Sequence, residues 1–296
     1  MSRDNQSIKI ASTPCPYIWM NGEFIPVNDA KISVLTHSLH YSGGVFEGEK
    51  AYNGKVFKLA EHTTRLLASA KILYLDTPYS ADDIIKAHHL LIEKNNIKDA
   101  YIRPLIWQGS ESLNMTNPAL SVNLLIAAIQ SAPKPSAALN LHIARFRKPH
   151  PTSLPPQCKS SGHYNMMITT QKEAKSLGYD DAIVLDWQGL IAECTVANIF
   201  FVKDERLFTP IADRFLDGIT RQAVMNMARN IGLEVIEERI AMERLEEFKE
   251  GFITGTSVEI KGINSINLGK ETVLFKEHNI TNLLKAKYKE LVGAVM

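Results

Sequence analysis

The stretch AIVLDWQGLIAECTVANIFFVKDERLFT, residues 182–209, decides the fold class. It holds four short runs rich in Val, Ile, Leu and Phe, at residues 182–185, 190–194, 199–202 and 207–209. Turn residues separate the first run from the second, Trp187-Gln-Gly189, and the third from the fourth, Lys203-Asp204. Apolar runs of three to five residues closed by Gly or Asp are too short for helices and read as strands. Their close succession predicts a β meander.

Outward from this stretch the signals change. Upstream, residues 160–177 have helical spacing, and before them lie a proline-rich loop (Pro149, Pro151, Pro155, Pro156) and a strand over 139–146. Downstream, residues 219–231 read as a helix stopped by Gly232 at the C′ position. Strand runs follow at 235–240, 251–254 and 258–263. The first half alternates strand and helix. Asn21-Gly22 suits a type I′ turn between residues 17–20 and 23–25, and Asn53-Gly54 joins a second hairpin, 49–52 with 56–59. Helical faces run through Leu66, Leu67, Ala70 and Leu73, and through Ile84, Ile85, Leu91 and Ile92, with Ser80 as N-cap of the latter. Buried strands are expected at 100–107 and 122–129. The result is an α/β (α+β) protein. Gln130-Ser-Ala-Pro-Lys-Pro-Ser136 carries no apolar period and reads as a linker, so residues 1–129 are expected to form one domain, 130–138 the linker and 139–296 a second domain.

Composition narrows the function. The 296 residues carry a net charge of 33 − 32 = +1, with no run of five like charges, which offers no field for a nucleic-acid backbone or an anionic membrane. The longest apolar run, 122–129, contains Asn123 and is far short of the roughly 18 residues that span a bilayer. Cys15, Cys158 and Cys194 form no CxxC pair, which argues against a disulfide framework and a zinc knuckle. The histidines, His62, His88 and His89 among them, show no ligand spacing, so no metal site is expected. A cytoplasmic protein acting on small molecules is the expectation.

Several residues stand out for chemistry. Lys159 follows a proline-stiffened loop and is flanked by small residues. In a partly desolvated slot a lysine loses its proton and forms a Schiff base; on an open loop it is a solvated cation. Tyr164 lies five positions on, either a packed core ring or a phenol near the same pocket. Glu193 interrupts an apolar strand, where alternation sets it opposite Ala192; if buried it needs a cationic partner. Leu216-Asp-Gly-Ile-Thr220-Arg221 leads into a helix whose free N–H groups can hold an anion, with Gly218 allowing close approach. Thr256-Ser257 offers two hydroxyls after a strand, or only a turn or cap, and Arg65 and Arg103 are candidate anion clamps, Arg65 alternatively a surface ion pair.

Leu39-His-Tyr41, Val45-Phe-Glu-Gly48, Tyr101-Ile-Arg-Pro104, Gly218-Ile-Thr-Arg221 and Thr254-Gly-Thr256, in this order and spacing, make the chain resemble the branched-chain amino acid aminotransferases of fold type IV. The match runs from about Tyr17 to Leu274. The resemblance implies a smaller N-terminal α/β domain, a larger C-terminal domain with a β-barrel-like core, and pyridoxal 5′-phosphate (PLP) as cofactor. It implies Lys159 as the Schiff-base lysine, Glu193 on the pyridine nitrogen and Tyr164 on the ring oxygen. It implies Arg65, Gly218, Ile219, Thr220 and Thr256 around the phosphate, with Leu216 against the ring. Tyr41 (from the partner subunit), Arg103, Ser257 and Val258 are implied for substrate carboxylates and Phe46 for the side-chain pocket. The implied reaction moves the amino group of L-leucine, L-isoleucine or L-valine to 2-oxoglutarate, in a homodimer or higher homo-oligomer. Glu49-Lys50, the loop 152–158 and Ser257 depart from the family pattern and bear on side-chain preference. Other enzymes of the same fold, a D-amino acid or (R)-amine transaminase or an aminodeoxychorismate lyase, would keep Lys159, Glu193 and Arg65; a non-catalytic scaffold would not need them.

Overall fold

The computed structural model describes residues 14–130 and 137–293. The expected linker falls mainly on residues 131–136, outside the described residues. The N-terminal elements are β1 (Tyr17–Met20), β2 (Glu23–Pro26), α1 (His37–Tyr41), β3 (Gly44–Phe46), β4 (Glu49–Tyr52), β5 (Lys55–Val56), α2 (Leu59–Ile72), α3 (Ala81–Lys94), β6 (Ala100–Gln108) and β7 (Val122–Gln130). They build one antiparallel sheet in the order β2-β1-β7-β6-β4-β5, with β3 also on β6. Asn21 (φ 50°) and Gly22 (φ 96°) make the expected I′ turn. Ser80 caps α3 reciprocally with Asp83. Alternation along β6 sorts its side chains: Ala100, Ile102 and Ile106 are buried in a core with Leu66, Ile84 and Leu91 of the helices. Tyr101 and Arg103 share the other face and stay half-buried. That face becomes part of the site.

The C-terminal elements are β8 (Leu139–Ile143), α4 (Tyr164–Ser176), β9 (Asp181–Leu185), β10 (Ile191–Cys194), β11 (Asn198–Lys203), β12 (Arg206–Pro210), α5 (Ile219–Asn230), β13 (Val235–Glu238), β14 (Glu250–Gly255), β15 (Glu259–Asn267), β16 (Thr272–Leu274) and α6 (Asn279–Leu291). Their sheet has the order β10-β9-β8-β15-β14-β11-β12-β13, with β16 on β15. It is curled into a half-barrel, and a single bridge between Ile191 and Ile240 ties its first strand to the segment after its last. Aromatic rings pack on both faces of this sheet: Phe201 stacks on Phe248 in one core cluster and Phe200 on Phe252 in another, which includes residues of α5 and α6, with ring centroids 4.9 and 5.1 Å apart. Each such side chain contributes about 1.5–3 kcal/mol by leaving water. No helix among the described residues is long and apolar enough to cross a membrane.

The structure corrects four expectations. The meander is broken: β10 and β11 are joined by a tight turn, Cys194 N–H to Ala197 O at 2.8 Å, but β11 pairs with β14 from fifty residues on. The strand expected over 139–146 ends at Ile143, and the second hairpin's return strand ends at Val56 because α2 begins at Leu59. Alternation fails at Glu193: a bulge between Ile191 and Glu193 shifts the register, and every residue of β10 is buried. Helix α6, unforeseen, packs Leu284 and Tyr288 against α5 and β14.

Candidate active site

Lys159 is seated by its backbone. Its N–H donates to Ser69 Oγ on α2 at 3.0 Å, and its carbonyl accepts from Phe46 N–H on β3 at 3.1 Å. Ser160 bridges Val45. The loop with Pro155 and Pro156 thus ends strapped between a strand and a helix. Its Nζ donates to the Tyr164 hydroxyl at 2.6 Å and stands 5.1 Å from the Phe46 ring centre. Phe46 meets Tyr164 edge-on at 4.7 Å. Arg103 lies 4.5 Å over the Phe46 ring, and its Nη2 donates to the Tyr101 hydroxyl at 2.7 Å. Arg103 Nε is buried and has no partner among the described residues. Lys159, Tyr164, Phe46 and Arg103 therefore form one cluster.

Arg65 is not a surface ion pair. Its Nε and Nη2 fork onto the two oxygens of Glu47 at 2.7 and 2.8 Å, and His62 Nδ1 donates to Glu47 Oε2 at 2.7 Å. Glu47 is wholly buried. Burial pushes its carboxyl up, but Arg65, His62 and the charge of Lys159 outweigh that and bring it to about 2. The remaining Arg65 nitrogen, Nη1, donates to Asp217 O at 3.2 Å, just before α5. Gly218 is the N-cap of α5 and has no side chain to cap with, and the first intrahelical bond is Gln222 N–H to Gly218 O. The N–H groups of Ile219, Thr220 and Arg221 are left for a ligand. A Cβ at Gly218 would collide with Asn198 Oδ1, while Asn198 Nδ2 holds Leu216 O at 3.1 Å. An open recess of about 310 Å³ between α2 and α5 is lined by Arg65, Ile219 and Gln222 among others; Lys159 is not part of its wall. The recess marks the seam of the two helices and stands apart from the Lys159 cluster.

Glu193, 8% exposed, has its cation in this structure: Lys148 Nζ lies 2.7 Å from Oε1. Thr256, Ser257 and Val258 form the three-residue loop between β14 and β15. Tyr41 stands apart: it is 47% exposed, and its hydroxyl donates to Leu113 O at 3.1 Å. Val34, Leu35, Leu39 and Met115 are exposed as well.

Glu47 and Tyr101, which the sequence showed only as members of motifs, join the site with His62, Ser69 and Lys148, which had not stood out as candidates. His62 and Arg65, three apart on α2, share a face, and a buried carboxylate between Phe46 and Gly48, just past the buried strand β3, demands such partners. Gly48 stands out in the sequence only as the end of a motif. A Cβ there would overlap the Tyr101 hydroxyl, so the link between β3 and β4 passes Tyr101 only as glycine.

Comparison with known proteins places this geometry. The family model for amino-transferase class IV matches residues 44–266. A protein of Rickettsia bellii named probable branched-chain-amino-acid aminotransferase is 60% identical over 277 residues, covering 93% of this chain and 96% of that one. The structure of the branched-chain aminotransferase of Thermoproteus uzoniensis with norvaline superposes with a TM-score of 0.88 at 33% identity, covering 95% of each chain. That of the branched-chain amino acid aminotransferase of Thermobaculum terrenum in its PLP-form gives 0.86 at 28% identity, covering 94% of each.

Proposed function

The chain belongs to the class IV aminotransferases, and from that premise we propose that it transfers the amino group of L-leucine, L-isoleucine and L-valine to 2-oxoglutarate, giving branched-chain 2-oxo acids and L-glutamate. The observation that carries this reading is the convergence of Lys159 Nζ, Tyr164, Phe46, Tyr101 and Arg103. It sets a lysine amine, an apolar wall and a cation beside one another.

The residues fit pyridoxal 5′-phosphate. The uncapped start of α5, the Arg65 Nη1 edge and the Thr256 hydroxyl suit a phosphate dianion. Leu216, Gly218, Ile219 and Thr220 would shape that end, Lys159 would carry the cofactor, Tyr164 would meet its ring oxygen and Glu193 its ring nitrogen. When bound, the cofactor supplies an electron sink that stabilises a carbanion at the substrate Cα. The Glu193 carboxylate favours a protonated ring nitrogen, because an opposite charge raises the pKa of a base. Lys148 leaves one oxygen of Glu193 for that task. Lys159 Nζ, held by the Tyr164 hydroxyl, takes and returns the α-proton. Arg103, with Tyr101, Ser257 and Val258, holds substrate carboxylates. Phe46 walls the side-chain pocket, and Arg103 serves the second carboxylate of glutamate. The exposure of Tyr41, and of Val34, Leu35 and Leu39 close to it in the chain, supports a homodimer in which Tyr41 completes the partner's site. Two domains, divided at residues 130–138, would meet at this site, and the three free, buried cysteines suit the cytoplasm.

Initial rates of the purified protein with L-leucine, L-valine, D-alanine and (R)-1-phenylethylamine, each with 2-oxoglutarate, test the reading. Turnover of the two L-amino acids well above the others is expected. No turnover of L-leucine would sink it.

A further inference from the structure

The hairpin between β14 and β15 closes on Gly255 paired with Glu259, leaving Thr256–Val258 as its loop. In three-residue hairpins the residue that closes the loop commonly adopts the left-handed conformation, where glycine or asparagine is the ordinary choice. Here that residue is Glu259, at φ 57°. A side chain with a Cβ persists there when its surroundings over-determine it. They do. The Glu259 carboxylate accepts from Lys50 Nζ and, at 2.9 Å, from the Tyr52 hydroxyl. The Lys50 ammonium also stands 4.9 Å from the Tyr52 ring centre. Lys50 and Tyr52 are on β4, in the N-terminal sheet, more than two hundred residues away in sequence. The contact is therefore a strut between the two sheets, landing at the end of the loop. The pair is about three-quarters buried, with side-chain exposures of 21% and 27%, so water screens it incompletely. Neither side chain touches Lys159, Phe46 or Arg103 in the contacts of the cluster, so the catalytic machinery does not account for them.

We propose that Lys50 and Glu259 are a positioning pair that holds Glu259 in the left-handed conformation and thereby sets the Thr256–Val258 loop for the substrate carboxylate. The premise is the role given above to that loop.

Four proteins test it: wild type, Lys50→Met, Glu259→Ala and Glu259→Gly. The measurements are the Kd of the holoenzyme for 4-methylpentanoate, a branched carboxylate without an amine, the KM for L-leucine and for 2-oxoglutarate, kcat, and cofactor absorbance. In Lys50→Met and Glu259→Ala, Kd and both KM values rise about tenfold, equivalent to about 1.4 kcal/mol. In both, kcat falls less than about threefold and the absorbance is unchanged, because a loop that orients a carboxylate acts mainly on binding. Glu259→Gly adopts the left-handed conformation without a partner and stays within about threefold of wild type. Kd and KM values unchanged in Lys50→Met and Glu259→Ala, even with a lower Tm, would overturn the proposal. So would equal impairment of the Ala and Gly variants. A wild-type protein that turns over no L-leucine would instead overturn the function proposed above, a separate failure.

Discussion

Gly48→Ala is the sharpest probe of the substrate face. An added Cβ would overlap the Tyr101 hydroxyl and lie 3.2 Å from Cζ and 3.3 Å from Cε2. The backbone cannot yield easily: Glu47 N–H donates to Pro104 O at 3.0 Å, and Glu49 and Lys50 pair with Ile102 and Tyr101. The aromatic tip must therefore move, on the order of 1 Å, to regain ordinary contact. The Tyr101 hydroxyl accepts from Arg103 Nη2 at 2.7 Å, so the displacement passes to the guanidinium. A misplacement of about 1 Å in a positioning group costs roughly a hundredfold in rate, or about 2.7 kcal/mol of activation free energy. Overpacking itself costs about 1–3 kcal/mol of stability. The assay is kcat/KM for L-leucine, with cofactor absorbance to show that the phosphate end is intact. The double variant Gly48→Ala, Tyr101→Phe isolates the cause, because it removes the hydroxyl that the methyl strikes. It should be no worse than Tyr101→Phe alone. Activity of Gly48→Ala within about threefold of wild type, or losses in the double variant equal to the sum of the singles in free energy, would refute the reasoning.

Two further predictions concern buried pairs. Because the Glu47 carboxyl is held at about 2 against an ordinary 4.5, its contribution, on the order of 3 kcal/mol, is present above pH 4.5 and lost as pH falls towards 2. Glu47→Gln should flatten that region of the acid-stability curve in urea titrations, and an unchanged curve would contradict the assignment. His88 is buried against Glu49 at 2.9 Å; burial opposes its protonation, but the carboxylate outweighs burial and raises its pKa above 6.5. That contribution is complete below pH 6.5 and lost as pH rises through the folded-state pKa, so His88→Phe should remove a fall in Tm on the alkaline side. A fall of the same size in both proteins would contradict it.

Local signals were legible where local physics decides. Asn21-Gly22 needs two left-handed residues, and Ser80 caps a helix with its neighbour three residues on; both are short-range devices. The meander failed because strand pairing is non-local: nothing within residues 182–209 shows that β14 will slip between β15 and β11. The bulge at Glu193 is likewise set by the pairing with β9, and it buries a carboxylate that simple alternation would place on the other face from Ala192. Helix α6 was readable from Ile280, Leu284, Tyr288 and Leu291, spaced as one helical face, yet it carries no chemical motif. In the site, Lys159 and Tyr164 stood out as individual residues. Glu47 was visible only inside the Val45-Phe-Glu-Gly48 motif, without a role, because its partners His62 and Arg65 lie on another element and only folding brings them together.

The central claim is that Lys159 carries the cofactor at the cluster it forms with Tyr164 and Phe46. Borohydride reduction of the purified holoenzyme followed by peptide mass mapping tests it directly. The account predicts a single phosphopyridoxyl adduct, on Lys159, and none in Lys159→Ala. An adduct on another lysine, or none in a protein that is yellow and active, would contradict it.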